Sequence, residues 1–353
     1  MVTVGTVIKR LEEVKFEYQV VDVGNGSSIV IMVKGGRVLG PFLSEKDVSL
    51  SWLNHAWCTK ENFARFVKDC EWNFGGSRIW LAPEIEYNVR NLNDFWETYI
   101  IPPEIDPGKY QIIQRDGKGA TLYNEFKINA FRSKRTPTLA ITKRTVRAEN
   151  PLRYLTKYSE KLVGIRFGGY EEEITLEDRD PSSCVLSGIW NILQIPRGGR
   201  VFLPCTPGIE VTDYFEPTSE KHLHITDNML TFNIDGRERH KIGLSPTGIF
   251  NQVGYVRKVK PGGATLLVRN FVNNPSGFYI DRPANQLTKQ GDLLQIYNDS
   301  GAFGGFGEIE CHAPAIGLQT GLSKTVLCIQ TWGFSGKAEE IKLITQILLG
   351  AKI

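Results

Sequence analysis

The feature that most constrains the fold is the recurrence of glycine-containing turns between short apolar runs. Such turns fall at residues 116–117, 168–169, 197–199, 235–236 and 261–263. The segments between them are rich in β-branched and aromatic residues, which favour strands. Strands joined by turns at these intervals are typical of a sandwich or barrel rather than of βαβ units. The pattern therefore predicts an all-β fold.

Apolar residues recur at helical spacing only near the two ends of the chain. They predict a short helix near residues 3–14 and a closing helix near residues 337–350. No linker, internal repeat or low-complexity tract divides the sequence between them. We therefore expect residues 1–353 to form a single domain.

Net charge, apolar run length and cysteine spacing limit the expected partners and cellular compartment. The chain has 42 basic and 39 acidic residues, a balance that gives no reason to expect a nucleic-acid partner. No apolar run approaches membrane length and no signal segment opens the chain, so we expect a cytoplasmic protein with no membrane partner. The six cysteines contain no CxxC pair, which indicates free, buried thiols rather than a disulfide framework. The oligomeric state stays open.

The spacing of the histidines along the sequence predicts no metal site. His222 and His224 would lie on the same side of a strand. A two-histidine site needs a third ligand, and the spacing along the chain supplies none. We therefore expect a surface pair, no bound metal and no cofactor.

The segment 291–315 carries an unusual pattern of titratable residues. A glycine-rich loop is followed by a strand in which Glu308, Glu310 and His312 share one face while the intervening residues are apolar. One interpretation is a cleft with the loop as its rim. The other is a polar sheet face turned to solvent.

A second segment, residues 72–87, combines an aromatic ring with charged groups. After a Gly-Gly turn, Arg78, Trp80 and Glu84 fall on one face of a predicted strand. This set suits a sugar, because the ring can stack on its C–H face and the charged groups can bind its hydroxyls. A buried Arg–Glu pair beside a core tryptophan explains the same residues.

A third segment, residues 187–200, places polar groups inside an apolar run. Trp190 and Asn191 precede Gln194 there. Buried amides require hydrogen-bond partners, so these side chains are either structural or ligand-facing.

Together these motifs resemble one family. FGGSRIWLAPE, GIWNILQIP and LLQIYND, followed by GEIECHAPA, resemble an uncharacterised branch of the galactose mutarotase-like (aldose 1-epimerase-like) superfamily over about residues 17–335. The resemblance implies a β-supersandwich with a sugar cleft on a concave sheet. It also implies that Glu310 matches the glutamate base of aldose 1-epimerases. The family's usual histidines are absent: Phe74 stands at the position of one, and GIWN contains none at the other.

Anomer exchange defines what the site residues would have to do. One group takes the proton of the C1 hydroxyl and another protonates the ring oxygen. With Glu310 as the base, either His312 or Glu84 can supply the acid. A sugar-binding protein without catalysis, and a glycoside hydrolase or lyase using paired carboxylates, remain as alternatives. The expected substrate-binding residues are Phe74, Arg78, Trp80, Trp190, Asn191, Gln194 and Glu308.

Overall fold

The computed structural model describes residues 2–259, 262–286 and 290–351, apart from the side chains of Pro181 and Leu318. The described strands are Tyr18–Gly24 (β1), Ser27–Met32 (β2), Arg37–Phe42 (β3), Ser77–Ala82 (β4), Gln111–Asp116 (β5), Gly119–Lys127 (β6), Thr138–Arg147 (β7), Arg166–Asp178 (β8), Gly188–Pro196 (β9), Gly199–Pro204 (β10), Val211–Asp213 (β11), Leu223–Ile225 (β12), Met229–Ile234 (β13), His240–Leu244 (β14), Gln252–Val259 (β15), Gly263–Phe271 (β16), Leu294–Asn298 (β17), Phe306–His312 (β18) and Lys324–Lys337 (β19). The α-helices are Val4–Glu13 (α1), Lys60–Lys68 (α2), Glu84–Tyr87 (α3) and Ala338–Leu349 (α4).

Short 3-10 or π-helical turns occur in the connections between these elements. They lie at Lys34–Gly36, His55–Cys58, Leu92–Asp94, Glu104–Gly108, Pro151–Tyr154, Thr156–Lys161, Pro181–Ser183, Ala284–Gln286 and Leu318–Thr320.

The strands form two antiparallel sheets. The nine-stranded sheet has the order β1-β2-β3-β4-β9-β18-β17-β14-β11, and the ten-stranded sheet has the order β12-β13-β10-β15-β16-β19-β8-β7-β6-β5. The predicted all-β fold with helices at both ends is confirmed. That residues 1–353 form one domain remains a prediction.

The register of the nine-stranded sheet brings distant segments side by side. Trp80 of β4 lies opposite Trp190 of β9, and Trp190 lies opposite His312 of β18. Residues opposite one another project to the same face of a sheet. The row predicted from the alternation of β18 therefore continues across three strands.

The other face of this sheet packs on the ten-stranded sheet. Ile79, Leu193 and Ile309 are buried there within the largest apolar cluster. A separate cluster beneath α1 and α2 holds Val7 and Phe63. Helix α4 covers the ten-stranded sheet through Ile341 and Ile344. Among the described helices, none combines the length and apolar character needed to span a membrane.

Two sequence predictions differ from the structure. Glu84 was expected on the strand of Arg78, but β4 ends at Ala82 and Glu84 begins α3. Pro83 accounts for this, since it has no N–H to continue the ladder. The cysteines were expected to be buried, yet only Cys205 and Cys311 are; the others are exposed.

Candidate functional site

A cleft of ≈ 700 Å³ lies over the face of the nine-stranded sheet that is turned away from the second sheet. Its volume is in the range of small-molecule sites. Its lining combines aromatic rings with charged groups of both signs: Trp72, Arg78, Trp80, Glu84, Ile85, Phe95, Trp96, Tyr99, Ile101, Trp190, Tyr214, Phe215, Arg239, Lys241, Arg282, Pro283, Ala284, Asn285, Tyr297, Phe303, Phe306, Glu308 and Glu310.

The floor of the cleft holds a buried ion pair. Glu310 is 1% exposed, and its Oε2 accepts a hydrogen bond of 2.7 Å from Trp190 Nε1. Lys241 Nζ lies 3.1 Å from the same oxygen. The second oxygen, Oε1, has no hydrogen-bond partner among the described residues. A buried acceptor without a partner is costly, so this oxygen is available to a ligand.

Burial sets the protonation behaviour of this pair. It raises the pKa of Glu310 to about 7, although the charge of Lys241 acts in the opposite direction. For Lys241, burial disfavours the charged form, but the carboxyl groups of Glu310, Glu84 and Asp281 outweigh burial and raise the lysine pKa. Glu310 can therefore take up and release a proton near neutrality while Lys241 stays charged.

A second ion pair lies beside the first. Arg78 Nη2 donates to Glu308 Oε1 over 2.9 Å, and Gln194 Nε2 donates to the same oxygen over 3.0 Å. The Arg78 guanidinium also lies over the rings of Trp80, at 4.6 Å, and Trp72, at 5.1 Å. Its Nη1 has no partner in the described part of the chain, which leaves a donor for a ligand.

Glu84 forms part of the wall. Tyr99 donates its hydroxyl proton to Glu84 Oε1 over 2.8 Å, and the Glu84 backbone N–H donates to Asp281 Oδ1 over 2.7 Å. Burial raises the pKa of Glu84, and the nearby Asp281 adds to this effect while Lys241 opposes it. The carboxyl group therefore holds its proton to a higher pH than an exposed glutamate does.

Tyr214 connects a second acid to the opposite wall. Its hydroxyl donates to Asp292 Oδ2 over 2.8 Å. Burial raises the pKa of Asp292 to about 7 even though this hydrogen bond acts against the rise. Gln295 Nε2 donates to Tyr214 Oη over 2.5 Å and to Asp281 Oδ2 over 2.7 Å, and so joins Tyr214 and Asp292 to the wall that holds Glu84.

The rim is aromatic. The Arg239 guanidinium lies 4.6 Å from the ring centroid of Trp96 and 4.5 Å from that of Phe215. Trp96 is 53% exposed and Phe303 is 55% exposed. These rings offer accessible surfaces, whereas Trp80 and Trp190 are buried and each has a cation over the ring.

Six of the ten predicted site residues line this cleft: Arg78, Trp80, Glu84, Trp190, Glu308 and Glu310. The structure thus combines the cleft interpretation of segment 291–315 with the buried Arg–Glu pair, except that the partner of Arg78 is Glu308 rather than Glu84.

Two predicted residues lie away from the cleft. Phe74 is buried in the cluster beneath the helices, with its ring centroid 4.9 Å from that of Phe66. Asn191 projects toward the second sheet, where its Nδ2 donates to Arg78 O and its Oδ1 accepts from Arg269 Nη2. Neither can contact a ligand in the cleft. For Asn191 the reason is strand alternation, which turns it opposite to Trp190.

The other two lie behind the lining. Gln194 is fully buried and supports Glu308, as described above. His312 is 2% exposed and stacks on Trp190, with ring centroids 5.8 Å apart. Burial lowers the pKa of His312 to about 4, so the ring is neutral at pH 7. A neutral ring has no proton of suitable acidity to donate, which favours Glu84 over His312 as the acid, and the role of His312 stays a prediction.

Sequence reasoning missed Lys241, Tyr214, Tyr99 and Arg239. A lysine inside the run HKIGL was a usable signal, because a lysine in a buried strand needs an acidic partner. The tyrosines and Arg239 gave no comparable signal, since they come from separate connections that meet only in the fold.

The sequence model of a protein family described as "Family of unknown function (DUF6786)" matches residues 8–353. The chain belongs to this family. A comparison with curated proteins found no match to this chain.

Several solved structures have a backbone that resembles that of this chain. One is a protein of Escherichia coli K12 provisionally named as an aldose 1-epimerase, with 9% identity, a TM-score of 0.49 and coverage of 90% of this chain and 99% of that one. The galactose 1-epimerase of Lactobacillus acidophilus NCFM is 12% identical, with a TM-score of 0.44 and coverage of 90% and 94%. The GalM/aldose epimerase homologue of C. elegans is 8% identical, with a TM-score of 0.44 and coverage of 91% and 99%. At these identities and TM-scores the likenesses establish no property of this chain.

Proposed function

We propose that the protein binds a sugar in the cleft and interconverts its anomers in the manner of an aldose 1-epimerase. The floor offers charged and amide groups that match sugar hydroxyls, and the rim offers flat aromatic surfaces for the C–H face of a pyranose. Arg78 Nη1 and Glu310 Oε1 are buried polar atoms that lack partners in the described residues and that a bound sugar would satisfy.

One observation carries the proposal. Glu310 combines burial, a pKa of about 7 and a free carboxyl oxygen in a residue that lines the cleft. A general base works best when its pKa lies near the working pH. Glu310 would take the proton of the C1 hydroxyl and return it to the opposite anomer after ring opening and rotation.

Glu84 is the proposed acid. Its pKa is raised by burial, so a fraction of the side chains carries a proton that can pass to the ring oxygen. Lys241 has a different role, because its raised pKa makes it a weak acid. Its fixed charge would stabilise the Glu310 carboxylate and the negative charge that develops on the sugar oxygens.

Binding without catalysis is the second candidate function. The observation that favours it concerns Phe74, which stands where the resemblance to aldose 1-epimerases places a histidine. The Phe74 ring packs against Phe63 and Phe66. No described residue projects a protonated imidazole into the cleft. A protein with this floor would still bind a sugar.

NMR exchange spectroscopy on equilibrated anomers of hexoses, pentoses and uronic acids tests the proposal. The wild type should accelerate exchange of at least one sugar, and Glu310→Gln should reduce that rate by about 100-fold or more. Glu173→Gln, the same change on an exposed position of the second sheet, serves as the matched control and should leave the rate unchanged.

Tryptophan fluorescence titrations of both variants separate the two candidate functions. If Glu310 is the base, Glu310→Gln keeps its sugar affinity within a few-fold while exchange is lost. A wild type that binds a sugar and does not accelerate its exchange would establish the binding-only function. No fluorescence response and no exchange with any of these sugars would reject both.

A further inference from the structure

A cluster of potential metal ligands lies outside the cleft, between the edge strand β12 of the ten-stranded sheet and β14, which is second from the edge of the nine-stranded sheet. His222 immediately precedes β12 of the ten-stranded sheet, and His240 begins β14 of the nine-stranded sheet. Glu238 lies in the connection before β14. One ligand atom from each residue can be chosen such that all lie within 4.8 Å of one another. Glu238 Oε2 is 3.8 Å from His222 Nδ1 and 3.7 Å from His240 Nε2.

The tautomer of His222 favours metal binding. Its Nε2 lies 3.3 Å from Asp235 Oδ2, so the ring donates its proton to this carboxylate. The lone pair is then on Nδ1, the nitrogen that faces Glu238. A carboxylate that holds the remote N–H of a histidine is the usual support of a metal ligand. Asp235 is itself fixed, because Asn298 Nδ2 donates to its Oδ1 over 2.7 Å.

His240 supplies the second observation. The residue is 9% exposed, yet both of its ring nitrogens lack a hydrogen-bond partner within the described residues. The two imidazole centroids are only 4.5 Å apart, with no hydrogen bond between the rings. Buried ring nitrogens without partners are unfavourable, and a cation bound to His240 Nε2 would satisfy one of the two.

The neighbouring side chains do not block Glu238 Oε2 or His222 Nδ1, the atoms that would bind the metal. Lys221 Nζ pairs with Oε1 of Glu238, not with Oε2, and the lysine side chain is 63% exposed. Ser219 Oγ is 3.4 Å from His222 Nδ1, a long contact that a metal bond can replace. The Glu238 side chain is 49% exposed and can therefore move toward the histidines.

We propose that His222, Glu238 and His240 bind one divalent transition-metal ion, with zinc as the best-suited metal. Two imidazoles and one carboxylate are a common zinc donor set that leaves a fourth position for water. Zinc–nitrogen bonds of about 2.0–2.1 Å place ligand atoms roughly 3.3 Å apart in a tetrahedral site. A contraction of a few tenths of an ångström brings the two distances from Glu238 Oε2 to that value, and the two histidine nitrogens lie within 4.8 Å of each other. The predicted surface pair of His222 and His224 is wrong, because His222 is 2% exposed and its ring lies beside that of His240. The proposed site departs from the sequence-based expectation of no metal for this reason.

The metal site adjoins the rim of the cleft. Arg239 lies between two of the ligands in sequence and stacks against Trp96 and Phe215. Fixing Glu238 and His240 on a metal ion fixes the backbone from which Arg239 extends. The ion would thus join the two sheets at β12 and β14 and hold one side of the rim in place.

Zinc titration of the full-length protein after chelator treatment tests the site. Isothermal calorimetry should show one ion per chain, and cobalt should give the visible absorption bands of a tetrahedral site. His222→Asn and His240→Asn should each weaken zinc binding by about 100-fold or more, since each removes one of the three ligands. His224→Asn is the matched control, and its affinity should equal that of the wild type.

Two further variants keep the test valid if a histidine variant fails to fold. Glu238→Gln changes an exposed side chain and should weaken binding, and Asp235→Asn should weaken it by about 10- to 100-fold. Zinc should also change the fluorescence of Trp96 in the wild type, with Trp96→Phe as the control. The proposal is overturned by a wild type without saturable one-to-one zinc binding, or by an equal loss in His224→Asn and Glu238→Gln.

Discussion

Within the described residues, two buried lysine–glutamate pairs differ in how many of their polar atoms have hydrogen-bond partners. Between the sheets, Lys143 Nζ lies 2.6 Å from Glu172 Oε1, and both side chains have no exposed surface. Ser77 Oγ lies 3.1 Å from both Glu172 oxygens, and Lys143 also donates to Gly36 O over 2.9 Å. On the cleft floor, the pair of Lys241 and Glu310 leaves one glutamate oxygen without a partner among the described residues.

The comparison shows that burial and charge pairing by themselves do not identify a functional carboxylate. Glu172 has all the hydrogen bonds that it needs within the core, so its role is structural. Glu310 has the same kind of cation beside it, but it also has a free oxygen at the floor of a cleft. The unsatisfied acceptor is the difference that points to a ligand.

Removing the two lysines should separate these roles most strongly. Lys143→Met leaves Glu172 charged and enclosed, and should lower the free energy of unfolding by about 3–5 kcal/mol. Lys241→Met should lower it by only about 1 kcal/mol, because Glu310 can become neutral and its free oxygen faces the cleft. Urea unfolding at pH 7 measures both. Equal losses would show that the two pairs do not differ as proposed.

Glu310 should contribute to the pH dependence of stability, together with Asp292, whose pKa burial also raises to about 7. The folded-state pKa of Glu310 of about 7 lies above the ordinary value of 4.5, so its contribution to stability is complete below pH 4.5 and is lost as the pH rises through 7. Since one pKa unit corresponds to about 1.4 kcal/mol, the full loss is roughly 3 kcal/mol. Urea unfolding between pH 4.5 and pH 8 should show this decline in the wild type relative to Glu310→Gln. A constant difference across that range would contradict the raised pKa.

Glu84→Gln tests the identity of the acid on the cleft wall. The amide keeps the shape and still accepts from Tyr99, but it has no proton of suitable acidity to give. Anomer exchange should fall by about 100-fold, equivalent to roughly 2.7 kcal/mol in the barrier, with sugar affinity nearly unchanged. Tyr99→Phe is the control for loss of the hydrogen bond alone and should have a much smaller effect. An active Glu84→Gln enzyme would assign the acid role elsewhere.

His312→Phe should have the smallest effect. Phenylalanine keeps the ring that stacks on Trp190 and removes both nitrogens. Because His312 is neutral and does not line the cleft, the exchange rate should fall by less than about 10-fold, below the range of a lost acid or base. A larger fall with unchanged unfolding would return His312 to the catalytic residues.

Local patterns in the sequence determined the fold class and part of the site. Alternation along β18 turns Glu308, Glu310 and His312 to one face, and this depends only on the geometry of a single strand. The same holds for Arg78 and Trp80 on β4. Turn spacing and the helical periodicity at the two ends likewise depend on nearby residues. Such patterns can be read without knowing which strands are neighbours.

Tertiary structure alone decided which residues face one another. Lys241 reaches Glu310 because β14, β17 and β18 are neighbours in the sheet, an order that no local pattern specifies. The position of Phe74 beneath the helices and the pairing of His222 with His240 depend in the same way on how distant segments pack. Hydrogen-bond register and packing between sheets set these contacts, and both act between residues far apart in the chain.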